Sequence, residues 1–410
     1  MPRVLFLMPT RTYRARAFLA AAEKLGIEAV VGSERQQALE PFTGGTTVTL
    51  NFQSVDEAVE RLVQFARQHP IDAIIPVDED TAVLAAAASR ALGLRHNSLA
   101  AALAAREKHR MRQLLRAHNI PAPEAKLLPV DAEPAKVAET VEFPCVLKPI
   151  FLASSRGVIR ADSAAEFIRA FERLTAILAE PEVKRRGGAL AETILVEPYI
   201  PGEEVVLEGL LTAGRLKVLA IYDKPDPLEG PYFEETIYVT PSRQPEAVQK
   251  RVAEGVSAAA AAMGIRHGPV HAELRINDRG VWVIEIAARS IGGLCASTLR
   301  FGRDISLEEL IIRHALGDDV EGIQREAQAA GVMMIPIPRA GILEEVLGLS
   351  EALKVEGVED VKITIPRSQK VVPLPEGDRY LGFIFSRGQT PEEVESALRT
   401  AHRRLTFVIV

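Results

Sequence analysis

The chain has 410 residues, of which 47% are hydrophobic and 25% charged, and its formal net charge is −6. A polymer of this length forms two or three domains with substantial cores, and its acidic balance argues against a nucleic-acid partner, which calls for a basic stripe. The apolar run 4–8 is too short for a signal peptide, no stretch approaches the roughly 20 apolar residues of a membrane span, and Cys145 and Cys295 sit in apolar contexts that suit reduced thiols, so a cytoplasmic enzyme is expected.

The first hundred residues alternate strand and helix. Residues 4–7, 27–31 and 73–76 read as short buried strands; 14–25, 55–68 and 81–92 read as helices, the first and last closed by Gly26 and Gly93. That alternation predicts a parallel sheet covered on both faces, with ligands gathered at the carboxyl ends of its strands. Two segments fall there. The loop 10–14, with Tyr13 among its arginines, suits a carboxylate or phosphate, or else is simply solvated. In 77–81, Glu79 suits a substrate amine, while Asp80 reads as a favourable charge at the next helix start.

From about residue 104 the texture changes. A charged helix over 106–117 carries Lys108 and runs into the Pro-punctuated segment 119–123. An apolar strand over 143–149 ends in Lys148, whose ammonium needs an anion or water when buried. Ser154, Ser155 and Gly157 then form a small-residue loop that lets backbone N–H groups approach phosphates, although the same residues describe any tight turn. Residues 194–197 form another strand ending in Glu197, followed by Tyr199, Ile200 and Glu204. Such an exit offers backbone groups to a purine edge and a carboxylate to ribose hydroxyls; its plain alternative is a solvated turn. A hairpin over 205–222, turning at 212–215, ends beside Lys224. The Ala-rich run 257–263 predicts a helix stopped by Gly264.

Residues 271–293 read HAELRINDRGVWVIEIAARSIGG and predict a β-hairpin with one apolar and one chemical face. Alternation puts Ala272, Leu274, Ile276, Trp282, Ile284 and Ile286 on the first, and His271, Glu273, Arg275, Glu285 and Arg289 on the second. Asp278, Arg279 and Gly280 fit a three-residue turn. That register opposes Glu273 and Glu285 with Cβ atoms roughly 5 Å apart, which is unfavourable unless a cation lies between them. Paired solvated glutamates are the alternative. Arg289 and Gly293 favour a metal shared with a phosphate, and oxygen-only donors favour Mg²⁺ or Mn²⁺.

Taken in order, Lys108, Lys148 with its small-residue loop, Glu197 to Glu204, Lys224, and Glu273 and Glu285 with Arg289 resemble the ATP-grasp superfamily over nearly the whole chain. The resemblance implies an α/β protein, α+β in its clamp lobes. Its domains would be an N-terminal parallel-sheet domain (1–104), a two-lobed ATP clamp (105–325, lobes 105–193 and 194–325) and a small C-terminal α/β domain (326–410). It implies that Lys108, Lys148, Ser154, Ser155 and Gly157 serve the phosphates of ATP, that Glu197, Tyr199 and Ile200 form the adenine hinge, and that Glu204 binds ribose. Glu273 and Glu285 would hold Mg²⁺, and Lys224 and Arg289 would act on the transferred phosphoryl group. Where the family carries E-x-N-x-R, this chain has Ala287, so one metal ligand is replaced by water or a bidentate glutamate. That variant resembles the bacterial L-amino-acid ligases that make dipeptides.

The last 85 or so residues predict strands at 332–337, 361–365, 381–386 and 406–410 and a helix at 391–405, similar to the C-terminal unit of biotin-carboxylase-like proteins. The expected activity is ATP-dependent ligation of a small carboxylate to an amine through an acyl phosphate. The alternatives are a kinase or carboxylase, or a nucleotide-binding regulator without turnover. Tyr13, Glu79, His271 and Gly293 are the candidates for substrate contact, His271 as orienting group, proton acceptor or plain hydrogen-bonded histidine. The acid and amine substrates are not specified by any motif. A homodimer stays open, as dimers are frequent among similar enzymes.

Overall fold

Residues Arg3–Leu7 form the centre of the first sheet, and Val4 to Leu7 are fully buried because helices cover both faces. The computed structural model describes residues 1–35 and 46–410. Four parallel strands run in the order Thr46–Thr49, Glu28–Ser33, Arg3–Leu7, Ala73–Pro76. The first of these was not expected: TTVT is short and mostly polar, and it becomes a strand by pairing with Glu28–Ser33.

The charged helix expected over 106–117 is Lys108–Ala117; a further helix, Leu99–Arg106, precedes it, and extended backbone at Glu107 separates the two. Next comes a small antiparallel sheet ordered Lys126–Pro129, Thr193–Pro198, Cys145–Pro149, Ile159–Ala161. It packs on helix Ala164–Ala179, whose Phe167, Phe171 and Leu174 are buried. Each such side chain contributes about 1.5–3 kcal/mol. This lobe has its own core.

The largest sheet has eight antiparallel strands ordered Gly280–Ala287, Gly268–Asn277, Glu203–Thr212, Arg215–Asp223, Ile237–Thr240, Ala329–Ile335, Gly382–Gly388, Val358–Ile363. The strands after residue 326 thus continue the sheet that carries the hairpin. Behind it lies helix Glu246–Met263, which ends where Gly264 takes φ +74°. A three-stranded sheet, Gln369–Val371, Gly341–Leu347 and Thr406–Ile409, completes the C-terminal part. Its first two strands were missed: Gln369–Val371 has only three residues, two of them exposed, and Gly341–Leu347 is mostly half-buried.

The hairpin itself needs one correction. Glu273 does oppose Glu285, but a β-bulge follows, so that Leu274 faces Val283 and Ile284 is the extra residue. Beyond the bulge the faces exchange: Val283 and Val281 pack in the core with Leu274 and Val256, while Ile284 turns to the cleft and Trp282 lies under Arg279. The bulge also shortens the turn to Asp278 and Arg279, since Asn277 pairs with Gly280. Strict alternation cannot reveal an inserted residue.

Candidate active site

Three strands of the large sheet set out the floor of a cleft. Cross-strand register places Glu204 opposite Arg275, Glu208 opposite His271, and Glu273 opposite Glu285. The Arg275 Nε donates to Glu204 at 2.9 Å, and the His271 Nδ1 meets Glu208. Glu208 is fully buried and also accepts from the Ile291 amide at 3.0 Å. This carboxylate holds the His271 ring well above its usual pKa, at about 9, against the opposing effect of burial. That pairing favours a protonated His271 beside Glu273, its Nε2 3.5 Å away.

Lys224, just past the strand Arg215–Asp223, points into the same floor. Its Nζ lies 2.6 Å from Glu204, 2.6 Å from Glu235 and 3.6 Å from Glu273. Burial opposes the charge, but these three carboxylates outweigh it and hold the ammonium protonated. Glu273 is correspondingly held well below the usual carboxylate range: Lys224, His271 and Arg289 overcome its desolvation. Among the described residues, Glu204, Glu235 and Glu273 form a carboxylate group with oxygens within 4.8 Å of one another. Lys224 already serves as its cation.

The facing wall comes from the small sheet. Lys148 stands diagonally across from Glu197, whose strand pairs Leu195 with Lys148 and Glu197 with Val146. Lys148 Nζ is 2.6 Å from Glu197 Oε2, and Arg112 Nε donates to Oε1 at 2.6 Å. Burial pulls the Lys148 pKa down, only partly offset by Glu197; Glu197, flanked by two cations, stays ionised despite its own burial. Its carboxylate is thus spent on positioning, which leaves backbone groups for any adenine contact. The Tyr199 amide donates to the Pro144 carbonyl at 2.9 Å, the Ile200 carbonyl accepts from Arg275 at 2.7 Å, and Arg160 and Arg275 stack over the Tyr199 ring. Lys108 bridges the two walls, donating to the Leu152 carbonyl at 2.9 Å and to Glu285 at 3.3 Å. Ser154 and Ser155 take positive φ in succession, a backbone region that residues other than glycine seldom occupy.

Lys108, Lys148, Ser154, Ser155, Glu197, Tyr199, Ile200, Glu204, His271, Glu273, Glu285, Arg289 and Gly293 all line this one cleft. Lys224 reaches it through its ion pairs. Gly157, Glu79 and Tyr13 do not line it. Gly157 supports the serine loop from below, Glu79 lies 3.0 Å from Arg289 Nε, and Tyr13 packs edge-on behind Phe383 at 6.0 Å. Burial raises the Glu79 carboxyl against the pull of Arg289. Arg14, from the basic loop, is consumed by Ser290, Glu308 and the Val77 carbonyl. Asp80 pairs with Arg186 at 2.9 Å. Sequence reasoning missed Glu208 and Glu235. The first had a signal, a lone acid inside the apolar strand Glu203–Thr212; the second stands in an irregular segment and had none.

Two opposed carboxylates, each met by a side-chain cation, give an oxygen-only donor set that fits Mg²⁺ or Mn²⁺. Ala287 is buried and offers no donor.

A clamp of two sheets with lysines on one wall and paired acids on the other defines the ATP-grasp class, and three family models bear this out. Residues 141–298 match the ATP-grasp domain, 19–96 the ATP-grasp N-terminal domain, and 333–410 the L-amino acid ligase C-terminal domain 2. The chain belongs to the ATP-grasp superfamily, and its C-terminal residues match a domain described from L-amino acid ligases. It is 29% identical over 265 residues to alanine–anticapsin ligase of Bacillus subtilis (strain 168), covering 61% of this chain and 56% of that one. It is 28% identical over 241 residues to dapdiamide A synthase of Enterobacter agglomerans, covering 58% and 55%. The matched stretches thus span just over half the length of these curated relatives. The crystal structure of an L-amino acid ligase from Bacillus licheniformis superposes with a TM-score of 0.80 at 25% identity, covering 100% of this chain and 99% of that one. N5-carboxyaminoimidazole ribonucleotide synthetase from Thermotoga maritima shares the fold, at a TM-score of 0.73 and 16% identity. Among the described residues, no helix is long and apolar enough to cross a membrane.

Proposed function

We propose that this protein is an ATP-dependent carboxylate–amine ligase acting on amino acids or similar small acids. One observation carries the reading: Glu273 and Glu285 share a single cleft with Lys108, Lys148 and Arg289, and Lys224 reaches it through its pair with Glu273, which suits a triphosphate transferring its terminal phosphoryl group. Lys148, held by Glu197, and Lys108 take the phosphates, with the Ser154–Ser155 amides above them. Tyr199 and Ile200 border the adenine, and Glu204, locked by Lys224 and Arg275, borders the ribose. Glu273 and Glu285 would hold a divalent cation, which supplies charge neutralisation to the phosphate oxygens when bound. Lys224 and Arg289 balance the charge that spreads over the phosphoryl group as an acid oxygen attacks it. The resulting acyl phosphate is attacked at its carbonyl carbon by an amine, which sheds a proton and expels inorganic phosphate. Closure of the small lobe excludes the water that would hydrolyse the intermediate.

The relatives' names support this reading, since alanine–anticapsin ligase and dapdiamide A synthase are both named for joining or making such products. The test is ADP release with pairs of amino acids, followed by mass spectrometry of the product. Amide formation that requires both partners is expected. ADP release that is complete without an amine, with a phosphorylated or carboxylated acid as the only product, would establish a kinase or carboxylase instead. Nucleotide binding with no turnover for any pair would establish a regulator.

A further inference from the structure

A second cavity shares a wall with the nucleotide cleft: Ala288 lines the one and Arg289 the other. Its inner surface is apolar, built from Ile74 and Ile75 on the edge strand of the parallel sheet, Ala82 and Ala86 on helix Glu79–Ala91, and Ile311. Arg95, His96 and His267 stand with Asn97 on its polar side. Asn97 pins the turn that carries His267, accepting from the Arg266 and His267 amides at 2.8 and 2.9 Å and donating to the His267 carbonyl at 2.7 Å. The His267 Nδ1 is nonetheless buried with no hydrogen-bond partner. Among the described residues, the Arg95 guanidinium bonds only to the His314 carbonyl, at 3.4 Å, and that of Arg266 only to the Ala213 carbonyl, at 3.5 Å.

No carboxylate balances these groups. Among the described residues Asp72 is the one acid lining the cavity, and it accepts from the Arg3 amide at 2.7 Å; His314 turns its Nε2 to Thr212 at 2.9 Å. Burial lowers the His267 pKa, and Arg95, Arg266 and His96 lower it further, as an uncompensated positive field does. An anion placed there is attracted by both arginines and offers an acceptor to the stranded ring. Space limits its body: the cavity holds about 100 Å³, less than the roughly 150 Å³ that accommodates benzene, which leaves room for about four carbons. Both partners of the Arg289–Glu79 pair are continuous with the walls, since Glu79 opens the helix of Ala82 and Ala86 and Arg289 follows Ala288. We propose that this cavity is a second ligand site, for a small carboxylate with a short branched aliphatic body, and that its occupant steadies Arg289. The site lies outside the nucleotide cleft, and its existence does not depend on the ligase reading.

The test uses the full-length protein with isotope-labelled histidine, observed by NMR, and isovalerate as the probe. The ring resonances of His267 and of His271, the control in the nucleotide cleft, are assigned by their loss in His267→Gln and His271→Gln. Isovalerate should shift His267 saturably, whereas neutral isovaleramide and cationic isoamylamine should bind at least about tenfold more weakly. Arg95→Ala, at an exposed position, should weaken isovalerate about tenfold, and Ala86→Leu should fill the cavity and abolish the shift. The arginine variant and the probe series decide the matter even should Ala86→Leu not fold. With isovalerate saturating, the Kd of a fluorescent ATP analogue should tighten about fivefold, and Arg95→Ala should need about tenfold more isovalerate for the same gain. A shift at His271 alone, or an equal response of His267 to isovaleramide, would overturn the site. A saturable shift of His267 with unchanged nucleotide affinity would overturn the link to Arg289.

Discussion

At the scale of single residues, the site is a balance of buried charges in which each group is held by a named partner. Glu285 differs from Glu273 in having one close cation, Lys108 at 3.3 Å, whereas Glu273 has Lys224 and His271. Glu285→Gln keeps the shape but removes half of the opposed carboxylate pair. Amide formation should fall at least about a hundredfold, while calorimetry still detects ATP binding; unchanged turnover would refute the metal assignment. A second residue reports on stability alone. His314 accepts or donates at Nε2 with the Thr212 hydroxyl at 2.9 Å, and burial, reinforced by Arg95 and His267, lowers its pKa to about 4. Between pH 6.5 and 4 the unfolded chain binds a proton that the folded ring refuses, so this contribution is complete above pH 6.5 and is lost as pH falls towards 4. The melting temperature of His314→Gln should decline less steeply than that of the wild type over that window. Parallel slopes would show that the buried ring is not the source.

At the scale of elements, strand register sets out the charged groups, and a glycine-supported loop and a bulge adjust what meets them. The Ser154–Ser155 loop stands on Gly157, whose φ of +74° and position under helix Ala164–Ala179 leave no room for a side chain: a Cβ would lie 2.9 Å from Leu174 Cδ1 and 3.3 Å from Pro149. Gly157→Ala adds about 1–2 kcal/mol of backbone strain, relieved most easily by moving the exposed serine turn. The KM for ATP should rise about tenfold if that displacement costs the loop's phosphate contacts, with a smaller change in the KM for the amine. Equal changes in both would place the loop away from the nucleotide. The register of Glu273 with Glu285 was legible in the sequence because side-chain alternation and the turn residues constrain it. The bulge at Ile284 was not, because Val283 and Ile284 are equally apolar and only the packing of Val283 in the core selects between them.

At the scale of the whole molecule, the small lobe is tied down on two sides. Arg173 grips Glu376 with two bonds of 2.5 and 2.9 Å, Gly157 donates to the Pro375 carbonyl at 2.8 Å, and Arg186 meets Asp80 at 2.9 Å. These pairs are partly exposed, so each contributes only about 0.2–1 kcal/mol and weakens with salt. They act on lobe opening alongside the Lys108 bridge between Leu152 and Glu285 and the bond from Arg160 to the Glu229 carbonyl. The double variant Arg173→Ala/Arg186→Ala should release a fluorescent ATP analogue several-fold faster in stopped flow and lose most of the wild type's salt dependence. Identical release rates in both proteins would mean that the ion pairs do not gate the cleft.

The sequence by itself determined the order of the parts. The buried strands, the lysine at the end of an apolar run and the hairpin with two opposed acids each follow from periodicity or from the cost of burying charge. It also exposed the missing asparagine at Ala287, which no fold could hide. Tertiary structure decided who pairs with whom. Glu197 proved to be the counter-ion of Lys148 and Arg112, Glu204 of Lys224 and Arg275, and Glu208 of His271. It also decided that Met334, Tyr380 and Phe383, far along the chain, close the end of a cleft begun by Lys108. Alternation and propensity act over a few residues, whereas the energy of a buried charge depends on groups that meet only when separate strands are laid side by side.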